Sequence, residues 1–471
     1  MSDPIVTTTD GAVRGRAAGN AHVFLDIPYA APPTGAARFT APVPHEPWRH
    51  VRDATRPGPT APQPRRDGFG ALDMSPYFGP GWIPGDDYLT VSVWAPPNAR
   101  NSPVMVFVHG GGFVTGSTRS PLYDGTSFAR DGVVLVTLNY RLGIPGFLDL
   151  PGAPANRGLL DVLAALRWVR RNIAEFGGDP GNVTLFGQSA GATITSAVLA
   201  SPDAEGLFHR AIVQSGSGLG AFSREQAVRV THAAAGALGI EPTVAAFAQV
   251  RDERFVDVML GGLDLRTSTR FDPLLGLSAF SLVLDRQPAE AVAAGAGLDV
   301  ALVVGANTEE GNLYLAPQGK MTTSTAEDVH DTAAGVHDDP VALVARYRAR
   351  HPRATSGELR SAIMGDALFG AGSCRLAEAH AAHGQGPTYT YEFAWRSSAV
   401  DGQLGATHTV ELPYVFDRLD LPALRGPRGL LGPAEPPAAL ATRMHGAWVS
   451  FASTGDPGWA PSEAQRFTGR E

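Results

Sequence analysis

Ser189 stands in Gly187-Gln188-Ser189-Ala190-Gly191, directly after four strand-forming residues, Val183 to Phe186, and before a small-residue helical run, Ala190 to Leu199. Strand, tight turn and helix in that order hold a nucleophilic serine clear of a sheet. The residues two positions either side must be small because strand and helix converge there, and both are glycine. A serine attack also needs donors for the charge that grows on the carbonyl oxygen. The segment His109-Gly110-Gly111-Gly112-Phe113 follows a continuous apolar run, Val104 to Val108. Three glycines there leave backbone N–H groups free to point at a ligand. A phosphate loop is excluded, since no Gly-Lys-Ser or Gly-Lys-Thr follows and the chain's one Gly-Lys is Gly319-Lys320. The two glycine motifs together point to acyl transfer at Ser189.

Such a serine needs a histidine base with an acid behind it, in chain order serine, acid, histidine. Of 13 histidines, only His408 combines a late position, a glycine-containing loop (Gly405 to His408) and candidate acids upstream. His209, beside Phe208 and Arg210 at a strand start, reads as structural, and His445 falls within a C-terminal helix. His380 and His383 have HxxH spacing, but no cysteine or carboxylate set completes a ligand group, so no metal is expected. The stretch Ala306 to Gly311, holding Glu309 and Glu310, follows the strand Val300 to Gly305. A carboxylate just past a strand end lies where open α/β sheets build their sites.

The elements that must position these residues alternate as β–α–β. Val104 to Val108, Val133 to Asn139, Val183 to Phe186, Ala211 to Gly216 and Val300 to Gly305 read as strands. The continuous apolar run Val104 to Val108 fits a strand buried on both faces, and the alternation predicts a mainly parallel sheet with helices on both faces. Leu89 to Trp94 alternates as a strand, and Leu159, Val162, Leu163, Leu166, Val169 and Ile173 recur at helical spacing. Arg56 to Pro84 is rich in Pro and Gly and predicts a long loop. Its aromatics Phe69, Tyr77, Phe78 and Trp82 either line a pocket mouth or pack locally. Ser223 to Gln287 and Thr325 to Ala382 are helical in composition and show no chemistry of their own.

Composition narrows the function classes. The 471 residues are 44% hydrophobic and 18% charged, as in an ordinary globular protein, and the net charge of −8 argues against a nucleic-acid partner. The single cysteine, Cys374, excludes an intrachain disulfide. No apolar stretch nears the roughly 20 residues needed to span a bilayer, so no membrane partner is expected. The opening residues lack a basic and an apolar region, which predicts no signal peptide and a cytoplasmic home.

With these residues assembled, the chain resembles the type-B carboxylesterases of the α/β-hydrolase fold, close to the bacterial para-nitrobenzyl esterase group and related to cholinesterases. The resemblance spans nearly the whole chain and rests on Phe24 to Pro33, His109 to Phe113, Asn156 to Asp161, Phe176 to Pro180, Phe186 to Gly191 and Gly405 to His408. It implies one catalytic domain over residues 1–471, a large, mostly parallel sheet, and helical insertions near 222–290 and 320–385 over the site. It implies a triad of Ser189, Glu310 and His408, and oxyanion donors at the N–H groups of Gly111, Gly112 and Ala190. The expected activity is hydrolysis of small-molecule carboxylic esters through acyl-Ser189, with no metal or organic cofactor. Buried ion pairs are expected between Arg38 and Asp86 and between Arg141 and Asp161, and substrate-facing loops near 60–85, 270–290 and 312–325.

Three departures from the family pattern stand out. Asp86-Asp87-Tyr88 replaces the usual Glu-Asp-Cys, so the family disulfide is missing. The last family segment is expected to be shortened after Ala460. Gln188 precedes the serine where the family usually has glutamate, which removes negative charge beside the imidazolium and predicts little preference for choline-like esters. Gln188, Glu411 and Ser215 are the residues expected to tune the site; Glu411 either supplies part of the missing charge or has a surface or capping role. Amidase, thioesterase or transacylase activity on the same triad, and a non-catalytic binding protein, are the other readings.

Overall fold

The computed structural model describes residues 3–265, 272–383 and 385–469. A ten-stranded sheet runs in the spatial order Ala464–Phe467, Thr388–Phe393, Ala301–Asn307, Arg210–Gln214, Gly178–Gln188, Ser102–Val108, Val134–Leu138, Thr90–Ala95, Ala21–Pro28 and Arg16–Ala18. From Ala464–Phe467 to Val134–Leu138 all neighbours are parallel; the remaining three junctions are antiparallel.

The central strands are apolar on both faces because both faces are covered. Val104, Val106, Val183, Leu185, Val213 and Val304 pack on one side with Val162, Leu166 and Trp168 of the helix Arg157–Asn172. Met105, Phe107, Phe186, Ile212 and Val303 point to the other, against Met444, Trp448 and Phe451 of the helix Ala438–Thr454. Thr90–Ala95 is the strand expected from its alternation, and every one of its residues is buried. It lies between two other strands, and Ser92 and Thr90 are enclosed rather than facing water.

Of the two expected ion pairs, one forms. Arg141 and Asp161 are fully buried, with Arg141 Nη2 to Asp161 Oδ1 at 2.6 Å and Nε to Oδ2 at 2.8 Å. Arg141 Nη1 also donates to the Thr40 carbonyl at 2.7 Å, so the guanidinium is satisfied on both sides. Arg38 does not pair with Asp86, which is exposed; Arg38 Nη2 instead lies 3.4 Å from Asp252 Oδ1. The helix Asp252–Gly261 brings its first-turn carboxylate onto Arg38, an arrangement favourable to an N-terminal acid.

The stretch expected to be helical from Ser223 is so only in part. Helices Arg224–Leu238, Val244–Ala248 and Asp252–Gly261 are followed from 272 to 287 by turns and irregular backbone. Residues 266–271 of the expected insertion, including 270 and 271 of the expected substrate loop, and residue 384 of the second insertion lie outside the described residues. The second stretch holds helices Ala326–Ala334, Pro340–Arg350, Ser356–Gly365 and Ala371–Ala381, with a π-helical turn, Asp366–Gly370, inserted before the last. Among the described residues, no helix is long and apolar enough to cross a membrane.

Candidate active site

Three parallel strands end at one face and deliver the predicted residues there. Ser189 follows Gly178–Gln188 with φ 58° and ψ −126°, a region a side chain rarely enters, and then caps the helix Ala190–Leu199. Such strain persists only where the surroundings over-determine it, and it lifts the side chain off the strand line. A Cβ on Gly187 would come 2.5 Å from the Gly191 carbonyl oxygen, and one on Gly191 would come 2.0 Å from that of Val108. The turn therefore closes only with glycine at both positions.

The glycine loop after Ser102–Val108 runs beside this turn. Gly111 and Gly112 have φ of 110° and 63°. Among the described residues, none accepts a hydrogen bond from the N–H groups of Gly111, Gly112 or Ala190. His109 is a prop for this loop. It is buried, stacks on Tyr140 at 4.5 Å, and its Nδ1 donates to the Gly110 carbonyl at 2.8 Å. Burial pushes its imidazole down to about 4, so it is neutral near pH 7.

Glu310 and His408 meet under the same face. His408 Nδ1 and Glu310 Oε2 are 2.6 Å apart, and the Asn307 N–H donates to Glu310 Oε1 at 2.7 Å. Both carboxylate oxygens are thus engaged in a site where each side chain is 3% exposed. The other ring nitrogen, Nε2, lies 3.4 Å from Gln188 Nε2. The Tyr77 hydroxyl donates to Gln188 Oε1 at 2.6 Å and so fixes which end of the amide faces the imidazole. An amide NH₂ facing Nε2 calls for a lone pair on that nitrogen, which leaves the ring proton on Nδ1 with Glu310.

Ser189, His408, Gly111, Gly112 and Ala190 line one cavity of about 390 Å³. All three expected substrate loops reach it: Phe69, Tyr77 and Phe78 from the first, Leu274, Leu277 and Ser278 from the second, Leu313, Tyr314 and Gln318 from the third. Trp82 is not on its wall. Two residues from stretches read as chemically silent act here. Phe369, in the π-helical turn, stacks on His408 with ring centroids 4.1 Å apart and planes 10° apart. Ser278 Oγ donates to the Gly112 carbonyl at 2.6 Å and pins the glycine loop from a position 166 residues away. A π-turn within a helix often marks a functional site, and the close glycines Gly365, Gly370 and Gly372 are its sequence trace.

The tuning residues separate. Gln188 touches His408. Ser215 has φ 50°, is fully buried, and is not on the cavity wall. Glu411 is also fully buried, which removes a surface role, and makes no cap bond to the short helix Leu412–Val415. Its Oε2 accepts from Asn307 Nδ2 at 2.7 Å, so Asn307 holds both Glu310 and Glu411. Burial, and then the neighbouring charge of Glu310, push the Glu411 carboxyl from 4.5 up to about 7.

The raised value has a stability consequence. Between pH 4.5 and 7 the folded chain holds a proton here that the unfolded chain has released, so stability from this group falls as pH rises through that window. The difference corresponds to on the order of 3 kcal/mol. Urea unfolding at pH 5 and pH 8 should therefore show a smaller loss of stability for Glu411→Gln than for the parent. Equal losses in the two proteins would show that Glu411 does not titrate between them.

His209 Nδ1 accepts the Val183 N–H at 3.2 Å, and His380 lies 2.7 Å from Thr388 Oγ1 and 3.3 Å from the Gly297 carbonyl. His383 Nε2 bonds the Ala293 carbonyl at 2.9 Å, and no cluster of three or more metal-ligating side chains occurs among the described residues.

Comparison with known proteins extends this picture. The model of the Carboxylesterase family matches residues 2–467. The chain is 36% identical to the para-nitrobenzyl esterase of Bacillus subtilis (strain 168), over 97% of this chain and 91% of that one. It is 35% identical to the phenmedipham hydrolase of Pseudarthrobacter oxydans, with the same coverage of each. Among solved structures, a carboxylesterase of Geobacillus stearothermophilus superposes with a TM-score of 0.83 at 34% identity, covering 99% of this chain and 96% of that one. The solved relatives share the α/β-hydrolase fold, and this chain belongs to the carboxylesterase family and is by that membership a carboxylic-ester hydrolase.

Proposed function

We propose that the protein hydrolyses small-molecule carboxylic esters through an acyl-Ser189 intermediate, using Ser189, His408 and Glu310 as a triad. The observation that carries this reading is the 2.6 Å contact of His408 with Glu310, behind a cavity that Ser189 shares with His408. Ser189 Oγ attacks the ester carbonyl and its proton passes to His408 Nε2. Glu310 holds the Nδ1 proton in place and stabilises the imidazolium that forms. The tetrahedral oxyanion takes hydrogen bonds from the N–H groups of Gly111, Gly112 and Ala190, whose lack of another acceptor among the described residues supports that role. Collapse breaks the bond to the alcohol oxygen, which leaves with the proton from His408. Water, deprotonated by the same histidine, then attacks the acyl-enzyme and releases the acid and Ser189.

On this reading the whole chain acts as one catalytic domain, with the insertions near 222–290 and 320–385 contributing cavity walls, in a cytoplasmic setting. Family membership and the likeness to a para-nitrobenzyl esterase support an ester over other acyl donors. The test is product formation from the ethyl ester, thioester and primary amide of one butyryl group. Ester turnover well above amide turnover is expected. Preferential turnover of the amide or thioester would replace the reading with another acyl transfer on the same residues.

A further inference from the structure

Among the described residues, the guanidinium on the wall of the catalytic cavity is that of Arg66, and no aspartate or glutamate lines that wall. Arg66 is half-buried, yet among the described residues it has no hydrogen bond, ion pair or ring contact. The absence is conspicuous beside its neighbour. Arg65 is exposed and makes two bonds through Nε to Asp67, at 2.7 and 2.8 Å, so the nearest carboxylate in sequence is already committed. A guanidinium drawn partly out of water ordinarily recovers its lost hydration from a carboxylate or carbonyls. Arg66 has neither among the described residues, and burial pushes its protonation down from the ordinary arginine range.

Its backbone is held. The Met74 N–H donates to the Asp67 carbonyl at 3.0 Å, closing the small hairpin Gly68–Phe69 and Leu72–Asp73. The Ala71 N–H donates to the Pro317 carbonyl at 2.9 Å, which docks the hairpin on the loop that supplies Gln318 to the same cavity. Arg66 thus lines, from a backbone anchored on both sides of the hairpin, the same cavity as Ser189. A planar, partly desolvated guanidinium matches a carboxylate bidentately.

We infer that Arg66 is a specificity-determining residue, and that the substrate class of this enzyme is esters carrying a second, ionised carboxylate separated from the scissile bond by an apolar spacer. The inference rests on the proposed hydrolysis at Ser189. Gln188 agrees with it: an amide beside the imidazole adds no negative charge that would repel such a substrate. The carboxylate belongs either to the acyl part, as in a half-ester of a dicarboxylic acid, or to the alcohol part, and two substrate pairs separate these sources.

The experiment compares kcat/KM for monoethyl adipate against ethyl hexanoate, and for para-acetoxybenzoate against para-tolyl acetate, in the parent, Arg66→Gln and Arg66→Lys. In at least one pair the acidic-to-neutral ratio should fall about 10- to 100-fold in Arg66→Gln. The fall should appear chiefly in KM, with partial recovery in Arg66→Lys. The pair that responds identifies which side of the ester carries the carboxylate. Turnover of the neutral esters reports whether each variant has formed its site. The parent gives an independent reading, because its ratio should shrink as ionic strength rises from about 0.02 to about 0.5 M. A ratio unaltered by Arg66→Gln in both pairs would overturn the role of Arg66. Failure of the parent to hydrolyse any of the four esters would instead count against the esterase reading on which it rests.

Discussion

Ser189→Ala is expected to lower kcat for a short-chain para-nitrophenyl ester by on the order of a million-fold, the loss seen when a serine triad loses its nucleophile. The size follows from what alanine cannot do. Without Oγ no acyl-enzyme forms, and the imidazole of His408 is left to activate water without the covalent intermediate that divides the reaction in two. The free N–H groups of Gly111, Gly112 and Ala190 are unaffected by the change, so weak residual turnover above the uncatalysed rate is expected. KM should change little, because the cavity wall is otherwise intact. The backbone at 189, with φ 58°, is no easier for alanine than for serine, so the variant should fold with near-parental stability. Steady-state kinetics with a thermal melt of the same preparation separates loss of chemistry from loss of structure.

Glu310→Gln should cost about ten-thousand-fold in kcat, as loss of the acid's charge does in other triads. Here the hydrogen-bond pattern gives the reason. The Asn307 N–H already donates to Oε1, so the amide oxygen of a glutamine would take that place and its NH₂ would face His408 Nδ1. Two donors cannot share that contact unless the ring proton moves to Nε2, where it blocks acceptance of the serine proton. Gln188, facing Nε2 with its own NH₂, opposes that tautomer and leaves the ring without a satisfactory arrangement. Among the described residues Glu411 has no hydrogen bond to His408, and its Oε2 is taken by Asn307. Glu310→Asp should recover part of the activity. A kcat within tenfold of the parent for Glu310→Gln would show that the acid lies elsewhere.

How much of this could be read in the chain depends on whether the controlling forces are local. Val104 to Val108 was legible because a strand covered on both faces becomes a continuous apolar run. Gly187 and Gly191 were legible because backbone atoms crowd within a few residues of them. Thr90–Ala95 was legible as a strand from the alternation of Thr and Ser with Val, but only its position between two strands reveals that all of it is enclosed. The partner of Arg38 was missed for a similar reason: Asp252 sits on a helix whose docking no local pattern announces. Phe369 and Ser278 reach the site across 39 and 166 residues, from a π-turn to His408 and from an irregular segment to Gly112. Arg66 is the sharpest case, since its sequence neighbourhood, Arg65-Arg66-Asp67, suggests a solvated charge cluster and only the fold shows which arginine takes the acid.

The most direct test of the central claim is covalent. The parent and Ser189→Ala are treated with a fluorophosphonate, and the intact masses and the modified peptide are read by mass spectrometry. One adduct per chain, on Ser189, abolishing ester turnover and absent from the variant, is the predicted result. Modification of another residue with equal loss of turnover, or undiminished turnover by Ser189→Ala, would contradict it.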